Sequence, residues 1–167
     1  GYLYLASPEN VEPQNGLNMR WAGELDGEKA MRAVIAYDDI ASINYFGDLC
    51  KAWYRRNGAQ ITDAISTAWN DFDTILARCE KLDAEVLAEA GKVSEDYQAI
   101  VSASWRHTLC AHKLIATPKG EMAFLSKEND SNGCIGTVDV SYPSIPLFLI
   151  YNPELVKGMM RPIYRYA

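Results

Sequence analysis

Close cysteine pairs, metal-spaced histidines and long apolar runs are all missing from this 167-residue chain. The four cysteines, Cys50, Cys79, Cys110 and Cys134, stand about 25 to 30 residues apart, so they lack the spacing of zinc ribbons and redox motifs. Buried free thiols are the expectation. The two histidines, His107 and His112, are five positions apart, which turns them to different sides of a helix and excludes an i, i+4 zinc pair. A satisfied or surface histidine is the better reading of each. No Gly-x-Ser-x-Gly elbow or phosphate loop occurs, and no metal or other cofactor is expected. No stretch approaches the apolar length of a membrane span. With a net charge of −6, a pI near 4.9 and scattered basic residues, the chain would repel a phosphate backbone. Membrane and nucleic acid therefore drop out as expected partners. No basic region followed by an apolar core opens the chain, so an export signal is expected upstream or already removed if the parent is exported.

What is present fits one compact unit: 49% of residues are hydrophobic and 23% charged, over a length suited to a single domain. GYLYLAS alternates like a strand. Residues 7 to 30, rich in Pro, Gly, Asn and Glu, read as irregular chain with at most one further strand. Trp21 in that loop is a candidate for stacking on a sugar or covering a pocket, whereas the other tryptophans read as core. MRAVIAY, 31 to 37, reads equally as strand or helix. From Asp38 and Asp39, taken as helix-start residues, Ile43, Phe46, Cys50, Trp53 and Tyr54 recur at helical spacing, and Arg55-Arg56-Asn57-Gly58 supplies a stop. A longer stripe from Ile61 to Val86 predicts a helix of some seven turns. Its opposite face is acidic and solvated. Ser94 caps a third helix, antiparallel to the second and continuing towards Pro118. Asn152-Pro153-Glu154 starts a last one. Both ends of the chain read as cut from a longer polypeptide.

Asn132-Gly133 is the strongest short signal for a two-residue β-turn with positive φ at both central residues. Centring a hairpin there sets Glu128 opposite Thr137 and Lys127 opposite Val138. Ala123, Leu125, Val138 and Val140 then share a greasy face, and Ser126, Glu128, Asp130, Thr137 and Asp139 a polar one. In that register Glu128 and Asp139 are diagonal neighbours with backbones roughly 7 to 8 Å apart. This overlaps the separation of ~6.5 to 9.5 Å at which an acid and a base activate a water between them. Glu128 and Asp139 are the catalytic candidates, set against an exposed polar face that merely pairs with Lys127 or water.

AYDDIASINYFG (36 to 47) and FLSKENDSNGCIGTVDVSYPSIPLFLIYNPELVKGMMRPIYRYA (124 to 167) resemble the glutaminase A family, found in secreted fungal enzymes and in bacterial relatives, notably of gut Bacteroides. The resemblance runs over nearly the whole chain from Tyr2, with residues 14 to 30 looking like an insertion. It implies a mainly α architecture: antiparallel helical hairpins forming part of an (α/α)6 six-hairpin toroid, with the N-terminal strand and a β-hairpin near 122–140. Residues 1–37 would lead in from an upstream β-sandwich, and 38–167 would be the first part of the toroid. A ring of about twelve helices needs more chain than this. The implied partners are thus the remaining domains of the same polypeptide and a small-molecule or glycan substrate, in a secreted, periplasmic or cell-surface setting. Lys127, Glu128, Asn129, Asn132, Asp139 and Tyr142 match the family motif, which marks Lys127, Asn129, Asn132 and Tyr142 as substrate-binding candidates. Asp130 stands where relatives often carry an aromatic residue. The implied activity is hydrolysis of the glutamine amide, with glycosidic hydrolysis the alternative that the fold suggests. A non-catalytic carbohydrate-binding or scaffold module competes with both, because the greasy hairpin face needs a cover.

Overall fold

The structure, a computed structural model, describes residues 1–7, 11–13, 19–21, 32–128 and 130–167, with the backbone alone at 11–13 and 19–21. The opening strand β1 (Tyr2–Ala6) runs antiparallel to β4 (Val34–Asp38), with Tyr2 opposite Asp38 and Ala6 opposite Val34. The segment that reads equally as strand or helix is therefore the partner of β1. Between them β2 (Val11–Pro13) pairs with β3 (Met19–Trp21), so Trp21 lies in a strand rather than a loop. Its side chain, like most of the expected insertion at 14–30, lies outside the described residues.

The helix expected from Asp38 does not form. Asp38 ends β4, and its carboxylate accepts the Ile40 N–H at 3.0 Å and an Arg55 guanidinium N–H at 3.3 Å. These bonds hold a turn in which Ile40 has φ +66°, a costly conformation for a β-branched residue. The apolar residues that mimicked a helical period are instead spread over three elements: Ile43 in β5 (Ile43–Tyr45), Cys50 in β6 (Asp48–Cys50), Phe46 in the turn between them, and Trp53 and Tyr54 in a 3-10 turn beyond. Their two-residue connection, Phe46-Gly47, has φ +53° and +99°, the sign pattern of a primed hairpin turn, and Asn44 Oδ1 accepts the Gly47 N–H at 2.9 Å. The expected stop does hold: a 3-10 turn, Trp53–Asn57, ends at Gly58 with φ +83°.

Asp39, beside this turn, takes a 2.7 Å hydrogen bond from the Ser42 hydroxyl and pairs with Lys113. Burial raises the Asp39 pKa, but the bonds from Lys113 and Ser42 together outweigh it and hold the carboxyl below its ordinary 3.8. A depressed folded pKa means the contribution is present above about pH 4 and is lost as pH falls through the folded value. Lys113→Met in the parent protein is expected to cost about 1 kcal/mol at neutral pH and to flatten the loss of stability in acid, read by urea unfolding at several pH values. An unchanged acid slope would refute the pairing.

The long stripe yields α1 (Ile61–Asn70) and α2 (Phe72–Gly91), separated by Asp71 alone. A short turn leads to α3 (Glu95–Cys110), where the Ser94 hydroxyl accepts the Tyr97 N–H at 3.0 Å as a cap should. Asp83 meets Arg106, and the Leu87 carbonyl accepts from Gln98. As numbers rise along α2, partners fall along α3, so the pair is an antiparallel hairpin.

At Ala111 the chain leaves helix for β7 (His112–Ala116), which returns as β8 (Met122–Ser126). Thr117-Pro118-Lys119-Gly120 makes this turn: proline sits at the second position, the Gly120 N–H meets the Thr117 carbonyl at 2.8 Å, and Gly120 has φ +77°. The hairpin therefore spans 112–126 rather than 122–140, and Asn132-Gly133 is not its turn. Register sets His112 opposite Ser126 and Leu114 opposite Phe124 on one face, Ile115 opposite Ala123 on the other. Ile115, Ala123 and Leu125 pack on Ile43, Tyr45 and Cys50. Phe124 packs with Phe148 and Met159 from the following helices.

Those are α4 (Val138–Ser141), α5 (Ile145–Tyr151) and α6 (Pro153–Tyr166). Helix α6 lies on β8 at Gly158, where an added Cβ would stand 3.0 Å from the Phe124 backbone nitrogen and 3.2 Å from its Cβ. The strand backbone cannot yield cheaply. Gly158→Ala therefore loses more by overpacking, about 1 to 3 kcal/mol, than the ~1 kcal/mol it gains in helix propensity. A lower urea midpoint is the expected reading, and a raised one would show the two elements closing without strain. The result is a mainly helical fold with small antiparallel strand pairs. No helix among the described residues is long and apolar enough to cross a membrane.

Candidate functional site

The segment from Lys127 to Ser144 carries the motif residues and is tied down at several points. The Lys127 N–H meets the Ala111 carbonyl at 2.8 Å, the Glu128 N–H the Cys134 carbonyl at 3.2 Å, and the Gly136 N–H the Ser126 carbonyl at 2.8 Å. Lys127 also bridges Ile135. Within the loop Asn132 Oδ1 accepts the Cys134 N–H at 2.7 Å, an Asx turn. The positive φ falls on Gly136, at +71°, rather than on Asn132 or Gly133. The asparagine side chain thus replaces the backbone bond that a primed hairpin would make.

The consequence for the candidate pair is direct. Thr137 stands at the entry to α4 and Asp139 lies in the helix's first turn, so the cross-strand ladder that set Asp139 diagonal to Glu128 is absent. Asp139 is exposed and Glu128 half-buried. Ser131 has one hydroxyl proton, and it lies closer to the Glu128 carbonyl, 2.9 Å, than to the carboxylate, 3.3 Å, which leaves the carboxylate loosely held. Asn132 is exposed, Tyr142 is 75% exposed and Lys127 half-buried, while Asn129 lies outside the described residues. Val138, expected on a greasy face with Leu125, is exposed instead.

Beneath the segment lies a buried polar cluster whose role sequence reasoning missed. Ser126 is 1% exposed, and its hydroxyl lies 2.9 Å from Ser141 Oγ and 3.3 Å from the Thr137 carbonyl. The Ser144 hydroxyl donates to the Ser141 carbonyl at 2.7 Å and stands 3.5 Å from His112 Nε2. His112 Nδ1 is 2.6 Å from the Thr108 carbonyl, and Phe124 stacks on the ring at 4.5 Å. Burial, aided by the charge of Lys127, pushes the His112 pKa below its ordinary 6.5 against the Thr108 bond. The signal was present: with the Thr117–Gly120 turn recognised, register puts His112 and Ser126 face to face.

A cleft of about 620 Å³ opens between α3 and α5, walled mainly by Tyr97, Ile100, Trp105, Leu147 and Ile150. Glu128 and Asp139 do not line it. Its walls suit an apolar neighbour better than a reaction. Among the described residues no group of three or more metal-ligating side chains converges, and of the cysteines expected to be buried only Cys50 is.

The antiparallel helical hairpin α2–α3, followed by the β7–β8 strand pair and helices α4 to α6, defines a mainly helical protein built around a helical hairpin. Residues 94–167 match the glutaminase A six helical-hairpin domain, and residues 9–89 match a domain of unknown function (DUF5127). Over residues 94–167 this chain is thus similar to a glutaminase A-type six helical-hairpin domain. It is 36% identical over 104 residues to Glutaminase A of Aspergillus oryzae, covering 62% of this chain and 15% of that protein. Against a probable glutaminase of Arthroderma benhamiae it is 37% identical over 73 residues, 44% of this chain and 8% of the relative. The chain therefore spans only a small part of the curated relatives it matches. No solved structure matches it.

Proposed function

We propose that this chain is part of an exported glutaminase A-like hydrolase and contributes pocket residues from the 127–142 segment, with Glu128 and Asp139 as acid and base. The fragment is inactive alone, because a ring of about twelve helices needs more chain than this, and the pocket walls it would supply belong to the parent polypeptide. Export and a secreted or periplasmic location rest on the family resemblance. The observation that carries the reading is that the motif's polar side chains stand on a loop and the short helix α4 that follows it, a segment tied to β8 by the buried hydroxyls of Ser126 and Ser141. Loops held by a rigid scaffold are where binding and catalytic groups concentrate. In amide hydrolysis one carboxylate takes a proton from the attacking water while the other group, as a protonated carboxyl, gives one to the departing nitrogen, so that the C–N bond is exchanged for C–O and amide and water become acid and ammonia. Lys127, Asn132 and Tyr142 would orient the substrate beside them, with Asn129 and Trp21 as further contacts.

The test is ammonia release from glutamine by the purified parent polypeptide, alongside sugar release from aryl glycosides. Ammonia release by the parent and none by residues 1–167 supports the proposal. Sugar release instead would move the chain to the glycosidase alternative, and neither would leave a non-catalytic scaffold.

A further inference from the structure

We propose that Asn132 is a self-modification site: the folded segment presents its side-chain amide to the Gly133 backbone nitrogen, whose attack converts the residue to aspartate or isoaspartate and releases ammonia. Sequence alone does not single it out. Asn-Gly occurs three times, at Asn15-Gly16, Asn57-Gly58 and Asn132-Gly133, and the first pair lies outside the described residues. Asn57 and Asn132 are both exposed, so exposure does not separate them either. The two glycine nitrogens do. Asn57 closes the 3-10 turn, where the Gly58 N–H donates to the Arg55 carbonyl at 3.0 Å and the Gly58 carbonyl accepts from the Gln60 side chain at 3.1 Å. A bonded N–H gives up its proton reluctantly, and this nitrogen reaches the Asn57 amide only once the turn has opened. Asn132 and Gly133, by contrast, lie outside helix and strand. The Gly133 N–H has no partner among the described residues, and an added Cβ at Gly133 would meet nothing within 4 Å. Its nitrogen is open to react.

The Asx turn supplies the second requirement. Asn132 Oδ1 accepts the Cys134 N–H at 2.7 Å, which folds the side chain back along its own backbone, over the Gly133 peptide. As the Gly133 nitrogen bonds to Asn132 Cγ, Oδ1 takes on negative charge, and a backbone donor is already in place to hold it. The new N–Cγ bond then replaces Cγ–Nδ2, the proton lost by Gly133 leaves with the amide nitrogen as ammonia, and a five-membered imide remains. Water opens the imide at the side-chain carbonyl to give aspartate, or at the main-chain carbonyl to give isoaspartate. Water is the only co-reactant. Either product puts a further carboxylate on a segment that already carries Glu128, Asp130 and Asp139. Isoaspartate also adds a backbone atom inside the loop that the Glu128–Cys134 bond closes.

The experiment is peptide mapping by mass spectrometry of the parent polypeptide aged in mildly alkaline buffer, once folded and once in guanidinium chloride. Heavy-oxygen water marks each converted residue. Asn132 is expected to convert at least as fast folded as unfolded, whereas folding slows Asn57 by about tenfold or more, because its turn must open first. Slower conversion of Asn132 in the folded protein than in the unfolded chain overturns the proposal, since the Asx turn would then lock the amide away. So does an Asn57 that keeps pace with Asn132 in the folded protein, because the unbonded glycine nitrogen would not be what decides. Gly133→Ala has open space for its methyl group and should keep the fold, while crowding at the attacking nitrogen slows Asn132 conversion by about tenfold or more. An unslowed rate in that variant would equally overturn the proposal. The reaction releases a single ammonia per chain, which distinguishes it from catalytic turnover. It stands or falls independently of the pocket reading.

Discussion

Glu128→Gln and Asp139→Asn in the full-length parent protein are each expected to lower kcat for amide hydrolysis by about 10²- to 10⁴-fold, the range typical of a lost general acid or base. That corresponds to roughly 3 to 5 kcal/mol of barrier. Both substitutions keep side-chain volume and hydrogen-bonding reach while removing the carboxyl group's ability to give or take a proton, so KM should move little. Stability should barely change. Asp139 is exposed at the start of a one-turn helix, and the Ser131 hydroxyl near the Glu128 carboxylate, at 3.3 Å, lies closer to the Glu128 carbonyl, at 2.9 Å. Steady-state kinetics with a parallel urea melt separates the outcomes. If kcat is untouched in both variants, neither carboxylate moves protons in the reaction. A fall in kcat together with a fall in stability would show the groups acting through the fold.

Phe148→Ala is expected to have the largest effect on stability, about 3 to 5 kcal/mol, because the ring is only 2% exposed and its removal leaves a cavity that the strand cannot fill. Its position explains the size. Phe148 meets Phe124 edge-on at 5.0 Å and His112 at 5.3 Å, so it closes both the apolar core under α6 and the pocket around the imidazole. Against the 5 to 15 kcal/mol that ordinarily separates folded from unfolded domains, such a loss is a large share. The urea midpoint should fall with little change in slope. A loss below about 1 kcal/mol would mean that α5 settles onto β8 and fills the space.

Helix ends that carry their own chemistry were legible. Ser94 with its acidic followers, Asn152-Pro153-Glu154 and the Gly58 stop all stand where their residue types placed them. The strands between the helices were not, for two physical reasons. The Phe46-Gly47 turn asks a phenylalanine to take positive φ, which residue statistics discourage, and tertiary packing of Ile43, Tyr45 and Cys50 overrides that preference. Thr117-Pro118-Lys119-Gly120 holds a proline that equally signals the end of a helix, so the true hairpin turn was read as a stop. Once the hairpin moved to 112–126, Asn132-Gly133 lost its partner strand and became an Asx turn. The stripe on α2 teaches a related lesson. Its period was readable, yet Phe72, Ile75 and Leu76 remain exposed among the described residues, because periodicity says which face seeks cover without saying what supplies it. The motif residues themselves were found from the sequence, but their mutual geometry depended on a register that sequence did not determine.

The reading of the 127–142 segment as a pocket wall is tested most directly by a crystal structure of the parent polypeptide with the hydrolysis product bound. The account predicts the product beside this segment, with the carboxylates of Glu128 and Asp139 both turned into the cavity that holds it. A product seated elsewhere, with either carboxylate facing open solvent, would contradict it.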